Sequence, residues 1–186
     1  MDSEILKAKN ILDQKGVIIY PTDTIWGIGC DATNEEAVAE IYKLKQRAES
    51  KSLIILVDGW AMLKEYIKEV PNKVSCIING SSKPTSVIYN NPIKLAKNVI
   101  AQNNTVAIRI VKDEFCKQLI RQFGKPIVST SANVSGKPAP KNFDEIENSL
   151  LNKVDYVVNL HLEKKQSTAS QIVRVDSKGK IEFIRK

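Results

Sequence analysis

Polar side chains cluster in the segment Ser129–Gly136, which has the sequence Ser-Thr-Ser-Ala-Asn-Val-Ser-Gly. It directly follows Ile127 and Val128, a short apolar run that is typical of a buried strand. Ligands of open α/β sheets bind where strands end, and hydroxyl and amide groups both donate and accept hydrogen bonds. The segment is therefore a candidate cradle for a polar, oxygen-rich ligand. A turn that caps its own backbone is an alternative of equal weight, and these residues alone leave both interpretations open.

A second polar tract, Pro21-Thr22-Asp23-Thr24, follows another apolar run. Its oxygen atoms lie at the exit of a predicted strand. Gly27 and Gly29, a few residues later, permit the close approach of a ligand or of a neighbouring strand. A turn in which Asp23 and Thr24 satisfy local amides is the structural alternative.

A group of cations comes next in the chain, at Lys43, Lys45, Arg47 and Lys51. Cations near the end of a helix offset the helix dipole, which is a purely structural role. Arginine also binds phosphate in a bidentate geometry and lysine binds it as a point charge, so the same residues fit a triphosphate clamp. Their spacing does not separate the two roles.

The composition excludes several classes of protein. Of 186 residues, 42% are hydrophobic and 26% are charged, as in a folded globular chain. No apolar run approaches the ~18 residues of a membrane span, the amino terminus lacks a signal-peptide pattern, and the three cysteines are widely spaced, so we expect a cytoplasmic protein without a membrane partner. One histidine is too few for a multi-histidine metal site. The net charge of +7 favours anionic partners.

Alternating helical and strand patterns predict one α/β domain over residues 1–186. Near-continuous apolar strands indicate a sheet with helices on both faces. A hairpin across Asp176-Ser177-Lys178-Gly179 adds an antiparallel portion, so we expect a mixed sheet.

Several helix ends are marked by local sequence. Thr33 with Glu36 forms a capping-box pattern, and Asp113 and Gly124 bracket an amphipathic helix. Pro92 predicts the start of a helix over 92–100.

Taken together, the tracts resemble the YrdC family, in its short, single-domain type, whose members are L-threonylcarbamoyladenylate synthases. The resemblance rests on Pro-Thr-Asp-Thr followed by Trp-Gly-Ile-Gly-Cys, on Lys45-Gln46-Arg47 with Lys51 before an apolar run, and on the segment 129–136. These tracts occur in matching order, and the similarity extends from Val17 to the terminal hairpin. The resemblance implies a mixed, twisted open sheet around a deep basic cavity.

The resemblance also implies a reaction. L-threonine, bicarbonate or CO2, and ATP would give threonylcarbamoyl-AMP and pyrophosphate, for the modification of tRNA to N6-threonylcarbamoyladenosine. Displacement of pyrophosphate requires positioning and charge stabilisation, so no covalent enzyme nucleophile is expected. Mg²⁺ would enter with ATP, without protein side chains as ligands. The implied partner is the downstream tRNA threonylcarbamoyl transferase machinery, with weak binding of tRNA or other RNA as a further expectation.

The family pattern assigns site residues in two groups. Threonine binding is assigned to Thr24, Lys51, Arg109 and Ser131. ATP or phosphate binding is assigned to Lys43, Lys45, Arg47, Thr85, Ser129, Asn133 and Ser170.

Three departures from the family pattern loosen loops, because each removes proline. Ala48 and Ala169 stand where proline is usual, and Gly80-Ser81-Ser82-Lys83-Pro84 keeps only the last proline of its motif. The altered central loop supports one alternative, a YrdC-like paralogue with weak or different activity. A non-catalytic RNA-binding module is the other, but an aromatic content of 6% gives base stacking little support.

We expect Lys45→Ala and Arg47→Ala each to weaken the use of ATP sharply while leaving the fold intact, because each removes a phosphate-binding charge. Threonine-dependent release of pyrophosphate measures the effect. Wild-type rates in both variants would contradict the assignment.

Overall fold

The computed structural model describes residues 1–48, 53–163, 165, 168–176 and 180–186. The strands in these ranges are β1 (Ile18–Tyr20), β2 (Gly27–Gly29), β3 (Ile54–Val57), β4 (Thr85–Asn90), β5 (Thr105–Ile110), β6 (Ile127–Ser131), β7 (Tyr156–Val157), β8 (Gln171–Val175) and β9 (Ile181–Arg185). They form one sheet in the order β7-β1-β2-β6-β3-β5-β4-β8-β9.

Six α-helices accompany the strands in the described ranges: α1 (Asp2–Asp13), α2 (Glu35–Leu44), α3 (Trp60–Tyr66), α4 (Lys73–Gly80), α5 (Glu114–Phe123) and α6 (Asn148–Leu151). Two short 3₁₀ helices lie at Lys97–Val99 and Phe143–Glu145. None of the helices described is both long and apolar enough to cross a bilayer.

The sheet is mixed, as the sequence predicts. β1 pairs with β7, β3 with β5, and β4 with β8 in parallel, and the other neighbours are antiparallel. β6 joins the two halves, because it pairs with β2 on one side and β3 on the other. β8 and β9 form the expected hairpin, although residues 177–179 of its turn lie outside the described ranges.

The centre of the sheet is covered on both faces. All three residues of β1 are buried, as are the first five residues of β5. Successive side chains of a strand point to opposite faces, so a run of buried residues requires cover on each side. α1 packs against both α5 and β1, and α3 packs against β3 and β5. The apolar strands predicted from the sequence are therefore core elements.

The helix-end signals were only partly correct. Asp113 caps α5 by accepting a hydrogen bond from the amide of Cys116, and Gly124 closes the helix with a φ of +76°. The cap of α2 is Asn34, whose side chain accepts a hydrogen bond from the amide of Ala37. The prediction for Thr33 was wrong, because its hydroxyl and amide are held by the carboxylate of Asp31.

The predicted helix over 92–100 was also wrong, apart from the short turn at its end. Asn91 and Lys94 have φ values of +51° and +59°, which interrupt a right-handed helix. The amide of Ile93 donates instead to the carbonyl of Tyr66, 2.9 Å away. Tertiary hydrogen bonds thus replace the helical ones in this segment.

Gly29 lets β2 lie directly against its neighbours. A Cβ atom added there would lie 2.2 Å from the carbonyl oxygen of Val128 and 2.8 Å from the Tyr20 ring. The close approach is therefore between protein groups, one of the two roles that the sequence allows for this glycine. This close packing fixes the position of β2, and thereby the position of the polar tract at residues 21–24 that precedes it.

We expect Gly29→Ala to lower the free energy of unfolding by about 1–3 kcal/mol, the usual cost of overpacking a core. Urea denaturation measures the change. Gly80→Ala is the matched control, because a Cβ at Gly80 meets nothing within 4 Å. Equal stability of the two variants would contradict the packing argument.

Candidate active site

A cavity of about 220 Å³ lies on the sheet and brings together six of the residues predicted for the site. These six are Thr24, Arg47, Arg109, Ser129, Ser131 and Ser170. The remaining lining residues are Ile25, Gly27, Ile54, Thr130, Ala169, Ile172 and Arg185. The cavity thus combines three guanidinium groups with hydroxyl groups from distant parts of the chain.

The serine hydroxyls are fixed by the strand itself. β6 continues through Ser131, beyond the apolar pair at which the sequence suggested it would end. Ser129 pairs with Ile54 of β3, and Ser131 pairs with Gly27 of β2. A Cβ at Gly27 would lie 3.1 Å from the Ser129 Oγ atom. The lack of a side chain at Gly27 therefore leaves room beside that hydroxyl.

Thr24 belongs to a tight turn and to the cavity wall at once. The Oγ1 atoms of Thr22 and Thr24 are 2.9 Å apart, and Thr22 Oγ1 also accepts a hydrogen bond from the Thr24 amide. Thr22 donates onward to the carbonyl of Ile25 at 2.8 Å. The tract therefore forms a local turn, and its Thr24 also lines the cavity.

Lys45 is buried and holds the loop that follows β6. Its Nζ atom donates to the carbonyl of Ser131 and, at 2.6 Å, to that of Asn133. The carbonyl of Lys45 accepts from the amide of Ser135 at 2.8 Å. These bonds join the end of α2 to the polar segment. Lys45 does not line the cavity. Because Lys45→Ala removes the two hydrogen bonds of the amine, we do not expect this variant to leave the loop intact.

Two neighbouring cations, Lys45 and Arg47, are partly desolvated. Burial, with a smaller contribution from the charge of Arg47, lowers the pKa of Lys45 to about 7. Burial also lowers the pKa of the half-buried Arg47 guanidinium, which does line the cavity.

Arg109, on β5, projects nitrogen donors into a buried space. Only 3% of the residue is exposed, and its Nη2 atom lies 3.0 Å from Asp23 Oδ1. The contact lacks hydrogen-bond alignment, and neither Nε nor Nη2 has a hydrogen-bond partner among the described residues. Unsatisfied buried donors are costly, so these atoms indicate a site for a ligand oxygen.

Arg185 reaches the cavity because of a β-bulge. β9 pairs Phe183 with Val173 and Arg185 with Ile172, so Ile184 is the extra residue. Without the bulge, the alternation of β9 would place Arg185 on the same face as Phe183. The bulge places it on the face of Ile172, which lines the cavity.

Ser170 orients the Arg185 guanidinium. Arg185 Nε donates to the Ser170 carbonyl at 2.9 Å, and Nη2 donates to the Ser170 hydroxyl at 3.2 Å. The Ser86 hydroxyl lies 3.0 Å from that of Ser170. Burial and the nearby charge of Arg109 lower the pKa of Arg185. Sequence reasoning missed Arg185, and its only sequence signal was a cation in a hairpin strand that also contains three apolar residues and Glu182.

The other predicted residues that the structure describes do not line the cavity. Thr85 is buried, where it accepts from Gln171 Nε2 at 2.7 Å and donates to the Lys83 carbonyl. The Asn133 amide donates to the carbonyl of Lys137 at 2.6 Å, so it shapes the loop. Lys43 is exposed and pairs with Glu40, and Lys51 lies outside the described ranges.

The chain belongs to the family of Sua5, YciO and YrdC proteins. The model of this family, described as "Telomere recombination", matches residues 10–186. The YrdC resemblance inferred from the sequence is thereby confirmed.

Two curated relatives are threonylcarbamoyl-AMP synthases. The protein of Pseudoalteromonas translucida is 34% identical over 163 residues, which are 84% of this chain and 86% of the relative. That of Serratia proteamaculans is 36% identical over 139 residues, which are 73% and 74% of the two chains.

Solved structures share the fold. E. coli YciO matches with a TM-score of 0.84 at 19% identity, over 100% of this chain and 90% of YciO. P. abyssi Sua5, solved as a complex with L-threonine, matches with a TM-score of 0.80 at 23% identity. That match covers 91% of this chain and 50% of the P. abyssi chain. Identities this low support the fold alone.

The pKa of Lys45 makes stability depend on pH. Between about pH 7 and about pH 10.4, the ordinary value for lysine, the unfolded state binds more protons than the folded state. The free energy of unfolding of the wild type should therefore rise over this range by more than about 1 kcal/mol relative to Lys45→Met. Denaturant titrations at several pH values measure the difference. Lys64→Met, which removes an exposed amine, is the control. If the difference in the free energy of unfolding between the wild type and Lys45→Met did not change with pH, the burial argument would be contradicted.

Proposed function

We propose that this chain is a threonylcarbamoyl-AMP synthase, which uses L-threonine, bicarbonate or CO2, and ATP. The observation that carries the proposal is the convergence of Arg47, Arg109 and Arg185 on serine and threonine hydroxyls in one cavity. Such a site fits ligands that together carry a carboxylate, a hydroxyl and a triphosphate. The names of the two curated relatives support the same activity.

The chemistry needs no group of the enzyme to form a bond. The threonine nitrogen bonds to the carbon of CO2 and loses a proton, which gives a carbamate. A carbamate oxygen then bonds to the α-phosphorus of ATP, and the bond from that phosphorus to the bridging oxygen breaks, so that pyrophosphate leaves with the electron pair. Positioning and charge stabilisation accelerate both steps.

In this proposal, the substrates bind to different residues of the cavity wall. Arg109 binds the threonine carboxylate through its unsatisfied donors, with Thr24 and Ser131 beside it, and Lys51 is retained from the family pattern. Arg47 and Arg185 bind phosphate groups. Ser129 and Ser170 also bind the phosphate groups. Lys45, Thr85 and Asn133 act by holding the surrounding loops. Lys43, which is exposed, has no part in this assignment.

Mg²⁺ enters with ATP in this proposal. The lining residues that the structure describes offer hydroxyls and guanidinium groups rather than carboxylates, so the phosphates and water supply the ligands of the ion. The ion supplies charge neutralisation when it is bound. The product would pass, in the cytoplasm, to the machinery that modifies tRNA.

Incubation of the protein with ATP, L-threonine, bicarbonate and Mg²⁺ tests the function, and mass analysis should detect threonylcarbamoyl-AMP. Arg47→Gln and Arg185→Gln should each lower kcat/KM for ATP by about 100-fold or more, because each removes a charged phosphate contact. Arg121→Gln is the control, since its side chain is 63% exposed and pairs with Asp58 at the surface. Absence of the product with wild-type protein, or pyrophosphate release that does not require threonine, would overturn the proposal.

A further inference from the structure

A buried carboxylate lies directly behind one of the three cavity arginines. Asp23 comes from the turn between β1 and β2, its side chain is 10% exposed, and its Oδ1 atom is 3.0 Å from Arg109 Nη2. Asp23 does not itself line the cavity. The backbone amide of Lys112 lies 3.4 Å from Asp23 Oδ2, which places the carboxylate between the turn and the end of β5. Asp23 is therefore fixed, and it faces the guanidinium.

A second arginine of the cavity has no such counter-ion. Arg185 is hydrogen bonded to the uncharged Ser170, and no carboxylate of the described residues is within ion-pairing distance of it. The local charge at Arg109 and Asp23 sums to zero, whereas the local charge at Arg185 is positive. The surroundings of the two guanidinium groups therefore differ in charge, although both arginines line the cavity.

This difference sorts anions by their charge. A phosphate chain carries several negative charges, and its binding depends steeply on the net positive charge that it meets. A carboxylate carries one charge and binds well to correctly oriented N–H donors of a guanidinium group that is already partly neutralised. Pyrophosphate would otherwise compete with the amino acid for Arg109.

We propose that Asp23 is a positioning and specificity residue, which reserves Arg109 for the single carboxylate of the amino acid and directs phosphate groups to Arg185. The assignment of Arg109 to the carboxylate rests on the proposed function. Asp23 acts through Arg109 alone, because their ion pair restrains the Arg109 guanidinium group and offsets its charge.

The test compares the binding of L-threonine and of inorganic pyrophosphate by calorimetry, in the absence of catalysis. Asp23→Asn should bind pyrophosphate at least fivefold more tightly and L-threonine at least fivefold more weakly than the wild type does. Asp23→Glu, which keeps the charge, should preserve most of the preference for threonine. Asp58→Asn is the matched control, because it removes the carboxylate of an arginine pair at the surface, and both affinities should stay within twofold.

A double variant covers the case in which Asp23→Asn does not fold. Asp23→Asn/Arg109→Gln keeps the local charge at zero, so pyrophosphate affinity should stay within about threefold of the wild-type value while threonine binding is lost. A large loss of pyrophosphate binding in the double variant would mean that Arg109 holds phosphate, which overturns the inference. So would Asp23→Asn weakening both ligands equally, as a merely structural role predicts. Wild-type protein that binds both ligands but makes no product would overturn the proposed function and not the inference.

Discussion

The site depends on one strand, β6, being paired on both sides. Its first two residues, Ile127 and Val128, belong to the core, and its last three, Ser129–Ser131, form part of the cavity wall. β2 and β3 hold it from either side in antiparallel register. The pairing with β2 requires glycine, because the backbone of β6 occupies the space of a side chain at Gly29. A polar strand end is thereby held by the same strand pairing as the core that it continues.

Charge is placed in this frame in three different ways. Lys45 directs its amine to backbone carbonyls, where it binds protein rather than ligand. Arg185 is oriented by neutral serine groups. Arg109 faces a carboxylate and still has unsatisfied donors. Three cations that the sequence alone does not distinguish therefore have different electrostatic surroundings. These surroundings determine what each cation can bind.

The sequence predicted features that are local or that repeat along an element. The cap at Asp113 and the left-handed Gly124 depend on one turn of helix, and both were read correctly from the chain. The mixed sheet followed from apolar periodicity and a hairpin pattern. Six site residues were predicted through family motifs, and they do line one cavity.

Most of the missed features depend on contacts between distant segments. Nothing near Lys45 in sequence shows that its amine lies on carbonyls about ninety residues away. The role of Arg185 depends on a register shift between two strands, which sequence periodicity does not contain. Thr33 failed as a cap because Asp31, two residues earlier, competes for its hydroxyl. Tertiary contacts account for the first two cases, and competition from a local side chain accounts for the third.

The bulge in β9 has a consequence for the energetics of binding. β9 is an edge strand whose five residues are all exposed, so it is held by one ladder and little burial. Edge segments of this kind open locally at a smaller free-energy cost than the core does. Each opening would withdraw the Arg185 guanidinium group from the cavity. The apparent affinity for a ligand that binds Arg185 then scales with the fraction of molecules in which the hairpin is closed. The ligand would in turn protect β9 amides from hydrogen exchange, so that the edge of the sheet acts as a part of the binding equilibrium.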